Sequence, residues 1–579
     1  MRISFPDKVL TMTLNKHNPW LMGVIGLALG ACLTWIISSI VFHQKERQIY
    51  ADKHVTFIDN ADKLLAKNLT EDALAIYRDV LTVVSEKEDP ELYGHIKNNE
   101  GVCYYQLAHI RNKEGNLIRA MSAFEEALEI RTEEDHPLEY ATTQNNLGTV
   151  YRNLSEVKDK EGYLTKAMTA FQEALRIRTF EAEPLAYAAT HNNLGTVYWE
   201  LSAISAQEDN VARAVMAYEE ALRVYTLEEH PVGYAATQDH LGTAYSALAG
   251  VSAKEANLTK AVRAYEEALR VYTPEQYPVD YEITQNHLGT AYSTLAEVRD
   301  KEANLAQAIS AYNKALRVYL LERYPAGYAT TMGHLGNAYR SLSKIKDKAV
   351  NLVKAIGAYE ETLKVRTRER YPVDYAATQN NLGAAYWGLS EVRAQEENLA
   401  RAINAYEEAL VVRTLKQYPL DYAATQNNLG AAYWTLAEVR DKDKNLARSI
   451  SAYKEALRVY TLEEHPVDYA MIQNNLGAAY WTLSEVKDKG GNLAKAVSAY
   501  EEALQLYTLE ENPVDYAMIQ NNLGAAYRSL AEVRDRNVNL AKAVSAYQDA
   551  LKIYTAEKYP LYHKRVSASL EVTRQMMSR

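Results

Sequence analysis

The chain is poor in cysteine and in clustered positive charge. Among its 579 residues only Cys32 and Cys103 carry thiols, and two thiols cannot build a disulfide framework or a cysteine-ligated metal site. The formal net charge is −11 at pH 7, and Lys and Arg are interspersed with Asp and Glu. Because a nucleic-acid-binding surface needs clustered positive charge, the sequence predicts no nucleic-acid partner.

Motifs that mark common active sites are also missing. The sequence contains no G-x-x-x-x-G-K, no G-x-S-x-G, no H-E-x-x-H and no C-x-x-C. None of the 13 histidines is followed by glutamate. The sequence therefore predicts that the chain is not an enzyme, that it holds no cofactor or metal ion, and that it has no small-molecule substrate.

One long hydrophobic run lies near the N-terminus. Residues 20–42 contain no charged side chain, and 23 helical residues are long enough to cross a hydrocarbon core of about 30 Å. The alternative is a cleaved signal peptide, whose apolar core is normally only about 7–15 residues long. The run therefore predicts an uncleaved transmembrane helix. It predicts a single-pass protein of a bacterial inner membrane, on a side that the flanking charges leave open.

The rest of the chain repeats with a period of 47 residues. A glycine recurs at this interval from Gly101 to Gly524, and a proline recurs from Pro90 to Pro560. A tyrosine follows each of the first ten prolines by three residues. Such a period is the signature of a repeat architecture, in which each unit packs on its neighbours in the chain.

The pattern of apolar residues predicts two helices in each 47-residue repeat. In the unit around Gly148, Tyr140 and Tyr151 belong to an apolar stripe at helical spacing. After a charged break, a second stripe runs through Ala167 and Phe171, and the proline of the next unit ends that helix. No segment alternates with period two, so we expect essentially no sheet.

The small and aromatic positions of this unit resemble the tetratricopeptide pattern. They are Leu147, Gly148, Tyr151, Ala167, Phe171 and Ala174. The run HP-x-x-Y-A, Gln-Asn-Asn-Leu, Tyr and Ala-Leu-Arg-Ile-Arg is similar to the longer units of kinesin light chains and related bacterial proteins, although the loop between paired helices is longer here. The resemblance covers about residues 90–579. It implies an all-α, right-handed tetratricopeptide-like solenoid.

These patterns divide the chain into five segments. We expect an N-terminal tail (1–19), the transmembrane helix (20–42), a juxtamembrane segment with an initial helix pair (43–89), ten 47-residue repeats (90–559) and a C-terminal capping helix (560–579).

The resemblance implies that the first helix of each pair lines a concave binding groove. Three residues before the repeated glycine, most units carry an asparagine. These residues are Asn98, Asn145, Asn192, Asn286, Asn380, Asn427, Asn474 and Asn521. A row of amides can pair with the backbone of an extended peptide, and the alternative is that each amide bonds the neighbouring repeat.

The next position is also asparagine in most units, but three consecutive units have His240, His287 and His334 there. Neighbouring helices lie about 8–10 Å apart. Zinc needs nitrogens about 2 Å away, so we predict a local change in groove chemistry and not a metal site.

Bulky side chains stand four residues after the repeated glycine in most units. They are Trp199, Trp387, Trp434, Trp481, Arg152, Arg340 and Arg528. Each Trp follows a predicted core tyrosine by one residue, so it is expected to point away from the core. A row of exposed tryptophans indicates a binding surface, whereas packing on the next repeat is the alternative.

The sequence therefore predicts a membrane-anchored scaffold or adaptor. Its partner would be a protein or an extended peptide, bound in the concave groove by the Asn, Trp and Arg rows. The alternative is a structural subunit of a larger membrane complex that uses its convex or lateral surface.

Overall fold

The structure is a computed structural model that describes residues 55–318 and 324–578. Within these two stretches the regular elements are all helices, and no strand occurs. The chain divides into two compact units, one that ends at His230 and one that begins at Pro231. The predicted all-α fold without sheet is confirmed for the described residues.

From α3 onward, every second helix begins at a proline of the 47-residue period. Unit 1 contains α1 over residues 55–66, α2 Thr70–Leu81, α3 Pro90–Ala108, α4 Lys113–Ile130, α5 Pro137–Ser155, α6 Lys160–Ile177, α7 Pro184–Ser202 and α8 Gln207–Leu222. Unit 2 contains α9 Pro231–Leu248, α10 Lys254–Ala268, α11 Pro278–Leu295, α12 Lys301–Leu316, α13 Pro325–Leu342, α14 Lys348–Val365, α15 Pro372–Ser390, α16 Gln395–Val412, α17 Pro419–Ala437, α18 Lys442–Ala456, α19 Pro466–Leu483, α20 Lys489–Ala503, α21 Pro513–Leu530, α22 Arg536–Ile553 and α23 Pro560–Ser578.

Each proline of the 47-residue period is the first residue of a helix. Proline suits this place because its missing N–H would have no partner in the first turn, and because its φ angle is already helical. We number the repeats from these prolines, so that repeat 1 begins at Pro90 and repeat 10 at Pro513. Repeats 1–3 lie in unit 1 and repeats 4–10 in unit 2. Within each unit, every helix from α2 onward packs on the next one in the chain.

A close crossing holds the two helices of each repeat together. The repeated glycine of the first helix faces an aromatic ring of the second helix. Across the ten repeats, a Cβ added to this glycine would lie 2.5–2.9 Å from the ring. In repeat 7 the ring is that of Tyr406, which is 1% exposed. These small and aromatic positions therefore form the core of the helix pair.

Tyrosine hydroxyls join the helices at their edges. In repeat 7, the Tyr375 hydroxyl donates to Glu408 of the same repeat at 2.9 Å. The Tyr386 hydroxyl donates to Glu360 of repeat 6 at 2.8 Å. Repeat 8 has the same two bonds, both at 2.8 Å. One tyrosine of the repeat thus bonds the two paired helices to each other, and a second bonds the repeat to the preceding one. Because these two positions recur, they account for much of the content of 44 tyrosines.

The loop between the paired helices turns through a left-handed residue. In repeats 1–10 this residue has φ between 40° and 47°, and it is never glycine. In repeat 7 it is Ala394, and the Asn398 side chain then donates to the Arg393 carbonyl at 2.8 Å. Asn398 is 5% exposed, and equivalent asparagines make this bond in most repeats. A buried amide therefore holds the loop that lengthens the repeat.

The predicted localisation as a single-pass membrane protein is wrong, because the described helices contradict it. Over residues 55–318 and 324–578, no helix combines the length and the apolar character that crossing a bilayer requires. The segment 20–42, on which that prediction rested, lies outside the described residues.

We expect Gly383→Ala to destabilise unit 2 by about 1–3 kcal/mol, because the added Cβ would lie 2.7 Å from the buried Tyr406 ring. Hydrogen exchange of the α15 and α16 amides would measure the local loss. Gly357→Ala is the matched control. It stands inside α14 with no heavy atom within 4 Å of an added Cβ, so it should stabilise by roughly 0.5–1 kcal/mol. Equal effects of the two changes would contradict the close crossing.

We expect Ala394→Gly to stabilise repeat 7 by roughly 0.5–1 kcal/mol, because only glycine adopts a left-handed φ without a Cβ clash. The control is Ala400→Gly at an exposed place inside α16, which should destabilise by a similar amount. Thermal melting of both variants checks the pair. A destabilised Ala394→Gly variant would argue against the left-handed loop.

Candidate functional site

The predicted site residues lie on one face of the first helices. The Asn and the Trp of a repeat are seven residues apart. This is close to two turns of helix, or about 10 Å along the axis. In α15 they are Asn380 and Trp387, and both are half-buried. Between them lies Ala384, which is also half-buried. We call the face that carries these positions the first-helix face.

Asparagines of successive repeats bond to each other on this face. The Asn428 amide donates to the Asn380 oxygen at 3.1 Å. The same bond joins Asn475 to Asn427, and Asn522 to Asn474, each at 3.4 Å. In these three pairs the amides therefore link neighbouring repeats, as the alternative interpretation of the sequence expected.

This bonding uses only half of the amide groups. The nitrogen of Asn380 and the oxygen of Asn428 make no hydrogen bond to the described part of the chain, and neither atom is buried. The same holds for the next two pairs along α17, α19 and α21. Each pair thus keeps one unused donor and one unused acceptor on the first-helix face.

The asparagines of unit 1 are bonded in a related way. The Asn98 oxygen accepts from the Thr143 hydroxyl at 3.2 Å and from the Asn146 amide at 3.3 Å. The Asn145 oxygen accepts from the Thr190 hydroxyl at 3.2 Å. Asn192 and Asn521 are half-buried in the last repeats of units 1 and 2.

The tryptophans are neither fully exposed nor core residues. The Trp387 indole donates to the Thr435 hydroxyl of the next repeat at 3.1 Å, and Trp434 donates to Thr482 at 3.4 Å. The rings of Trp387, Trp434 and Trp481 pack beside buried residues of unit 2. In unit 1, Trp199 is 39% exposed. Each indole therefore contacts the fold and also presents part of its ring to solvent.

The arginines that replace tryptophan at this position are all half-buried. They are Arg152, Arg340 and Arg528. Arg152 belongs to unit 1, and the other two belong to the repeats that precede and follow the tryptophans of unit 2. The guanidinium Nε of Arg152 and that of Arg340 are buried.

The three histidines make different contacts. His287 Nδ1 lies 3.2 Å from Asp239 Oδ1 of the preceding repeat. His334 takes the same place in repeat 6, and neither of its ring nitrogens bonds a described residue. Asn286 stands in repeat 5 where Asp239 stands in repeat 4. Its amide nitrogen donates to Glu282 and, at 2.7 Å, to Thr331, and its oxygen is buried without a partner in the described part of the chain. His240 lies half-buried on α9.

Sequence reasoning missed a set of buried arginines beside this face. Arg178 is 7% exposed and donates to the hydroxyls of Thr142 at 3.1 Å and Thr190 at 2.9 Å. Burial lowers the pKa of Arg178, and the Glu183 carboxylate partly opposes this. Because Thr190 also bonds Asn145, Arg178 helps to fix that asparagine. The repeated Ala-Leu-Arg-Ile-Arg run was the available signal.

Three comparisons with known proteins bear on this architecture. The family model described as Tetratricopeptide repeat matches residues 102–134 and 477–508. In these two stretches the chain contains tetratricopeptide repeats. The two matched stretches span the end of a first helix and the following second helix, in repeats 1 and 9. No curated protein sequence matches the chain.

Solved structures at low sequence identity also match the chain. The C-terminal part of a TPR repeat-containing protein from Cytophaga hutchinsonii is 16% identical, with 55% of this chain and 98% of that chain covered and a TM-score of 0.34. Human IFIT1, solved as a dimer with PPP-AAAA, is 15% identical, with 82% and 96% covered and a TM-score of 0.31. Yeast Tom70 is 12% identical, with 90% and 96% covered and a TM-score of 0.27. At these identities the similarity concerns the fold alone.

We expect the Asp239–His287 pair to make stability depend on pH. Burial lowers the pKa of His287, but the hydrogen bond to Asp239 and the charges of Asp239 and Glu282 outweigh burial and raise it. A raised folded-state pKa gives stability that is fully present below about pH 6.5 and is lost as pH rises through the folded pKa. Asp239→Asn should therefore destabilise α11 more at pH 5.5 than at pH 8.5.

Hydrogen exchange of the α11 amides at the two pH values would measure this difference. The control is Asp515→Asn, which changes an exposed carboxylate in the first turn of α21 and should have the same effect at both pH values. A pH-independent effect of Asp239→Asn would show that the imidazole gains no proton from the pair.

Proposed function

We propose that the chain is a protein-binding scaffold whose first-helix face holds an extended segment of a partner protein. In unit 2 the binding face comprises the Asn and Trp rows of α15, α17 and α19. In unit 1, considered by itself, Asn145, Asn192 and Trp199 are residues of the same kind at the same repeat positions. The observation that carries this proposal is the unused donor and acceptor of each asparagine pair, with a partly exposed indole beside them.

The chemistry of an extended peptide fits these groups. A peptide backbone carries one donor and one acceptor per residue, and each repeat of this part of unit 2 offers one of each. One hydrogen bond typically contributes a net gain of about 0.5–1.5 kcal/mol. The amides would therefore fix the alignment of the peptide along the face more than they would increase its affinity. Partly exposed tryptophans supply the apolar contact that dominates most interfaces.

The small residue between Asn and Trp allows a close approach. In repeats 7–10 this residue is alanine, at positions 384, 431, 478 and 525. A methyl group leaves room for a main chain above the helix, whereas a larger side chain would cover the amides. The resemblance to kinesin light chains belongs to this proposal, since a row of asparagines would serve the same purpose there.

Binding is tested with a displayed library of random 12-residue peptides selected on the full chain. We expect Trp387→Ala, Trp434→Ala and Trp481→Ala, combined, to weaken the selected peptides by at least about 30-fold. This follows from one anchor worth about 2 kcal/mol. Fluorescence anisotropy gives the affinity, and thermal melting of the same variant separates lost binding from lost structure.

The matched control alters another exposed row of the same three repeats. Val373, Leu420 and Val467 follow the prolines and are 48%, 50% and 61% exposed. Their combined replacement by alanine should leave peptide affinity unchanged. If only this control weakened binding, the lateral surface would be the interface, as the structural-subunit alternative requires. Unchanged affinity in both variants would remove both surfaces from consideration.

Asn427→Asp is a sharper arm of the same experiment. The aspartate keeps an oxygen that accepts from Asn475 but replaces the unused amide donor by a second acceptor. Weaker peptide binding with an unchanged melting temperature supports a backbone contact at this amide. Unchanged affinity would limit the proposal to the tryptophans.

A further inference from the structure

The row of bulky residues on the first-helix face is interrupted in repeats 4 and 5. Where other repeats of unit 2 carry Arg or Trp, these two carry Ser246 and Ser293. Between α11 and α13, where Ser293 stands, a cavity of about 220 Å³ is open to solvent. The corresponding indole in repeat 7 bonds the next repeat, so the cavity occupies space that a larger side chain fills elsewhere.

Hydroxyl groups line much of this cavity. Thr290, Ser293 and Ser341 contribute theirs from the two first helices, and Tyr312 contributes its own from α12. The Tyr312 hydroxyl lies 3.2 Å from that of Thr290 and 3.5 Å from that of Ser293. Hydroxyls can both donate and accept, so the lining does not select a charge by itself.

The charges around the cavity are already balanced. No Lys or Arg lines it, and its one carboxylate, Glu297, accepts from Lys254 Nζ at 2.8 Å. A charged ligand would therefore have to leave water without a counter-charge, which is costly. An aliphatic ligand would leave unused the further hydrogen bonds that these hydroxyls can make.

The His334 ring also lines this cavity, and its centroid lies 5.7 Å from that of Tyr312. Its Nδ1 has no partner in the described part of the chain but is buried, so a ligand in the cavity would meet the Nε2 edge of the ring. Burial and the positive charges of Arg366 and His287 lower the pKa of His334, which favours the uncharged imidazole. In the uncharged ring Nε2 carries either an N–H or a lone pair, so it can donate or accept one hydrogen bond.

We propose that this cavity is a pocket for a primary carboxamide, such as the side chain of glutamine or asparagine in a bound peptide. A carboxamide is uncharged, and it presents a donor and an acceptor together, which matches the neutral imidazole and the hydroxyls. The pocket opens on the first-helix face, so its role in recognition rests on the proposed function. Its chemistry is testable without any partner.

The test uses the full chain with ¹³C-labelled histidine and propionamide as the probe. His334→Asn removes and thereby assigns the His334 signal, and asparagine is the residue at this place in repeats 7–10. We expect propionamide to shift the His334 signal saturably in the millimolar range, a level consistent with a ligand of about five heavy atoms. Propionate and propylammonium should shift it at least about tenfold less at equal concentration.

Filling the cavity gives the decisive control. Ser293→Trp introduces the residue that stands at this place in repeats 7–9, and it should abolish the propionamide shift. Ser293→Arg introduces the arginine that repeats 6 and 10 carry at this place, and it serves the same purpose if the tryptophan variant does not fold. Arg528→Trp changes the same position in repeat 10 and should leave the shift intact.

Three results would overturn the pocket: no saturable shift with propionamide, an equal response to propionate, or a shift that persists in folded Ser293 variants. None of them affects the tryptophan experiment. Conversely, loss of the proposed peptide binding would leave a propionamide shift in place, so the two failures are distinguishable.

Discussion

The close contact between glycine and an aromatic ring inside each helix pair is the constraint on which the rest of the structure depends. It fixes the distance at which the second helix crosses the first, because any Cβ at the glycine would enter the ring. With that crossing set, the tyrosine hydroxyls reach the glutamates of the second helices. One such bond lies within the repeat and one joins it to the preceding repeat. The same contact recurs in every repeat, so the side chains of the first-helix face recur at regular distances from one repeat to the next.

Neighbouring repeats share buried apolar side chains, and they are also joined by small polar contacts that recur in most repeats. Asparagine pairs, tyrosine–glutamate bonds and loop ion pairs such as Lys442–Glu485 each contribute little alone. Because every contact reaches only the adjacent repeat, stability in such a protein is close to a sum of repeat and interface terms. A local change in one repeat is therefore felt mostly by the repeats on either side, and the first-helix face can vary without disturbing the core.

The sequence was sufficient to predict the helix pairs, because the period of 47 residues aligns every glycine, proline and aromatic residue. That the Asn and Trp rows line one binding groove stays a prediction. The sequence could not decide whether an amide such as Asn428 bonds a ligand or Asn380, since both need the same residue in the same place. The buried Arg178 was missed because a charged residue at a helix end usually faces solvent. The inference of a membrane protein came from residues 20–42 alone, and no described helix supports it.

Repeats 7–9 present nearly identical Asn, Ala and Trp side chains on the first-helix face, and this has a consequence for any segment bound along them. A segment bound to identical contacts gains the same energy when it shifts by one whole repeat, so these repeats alone give several equivalent registers. Such degeneracy favours sliding and the acceptance of many sequences. The serines and histidines of repeats 4–6 differ from this pattern. A segment that contacts both the irregular repeats and the regular repeats would bind in one register, because the irregular contacts occur at one place only.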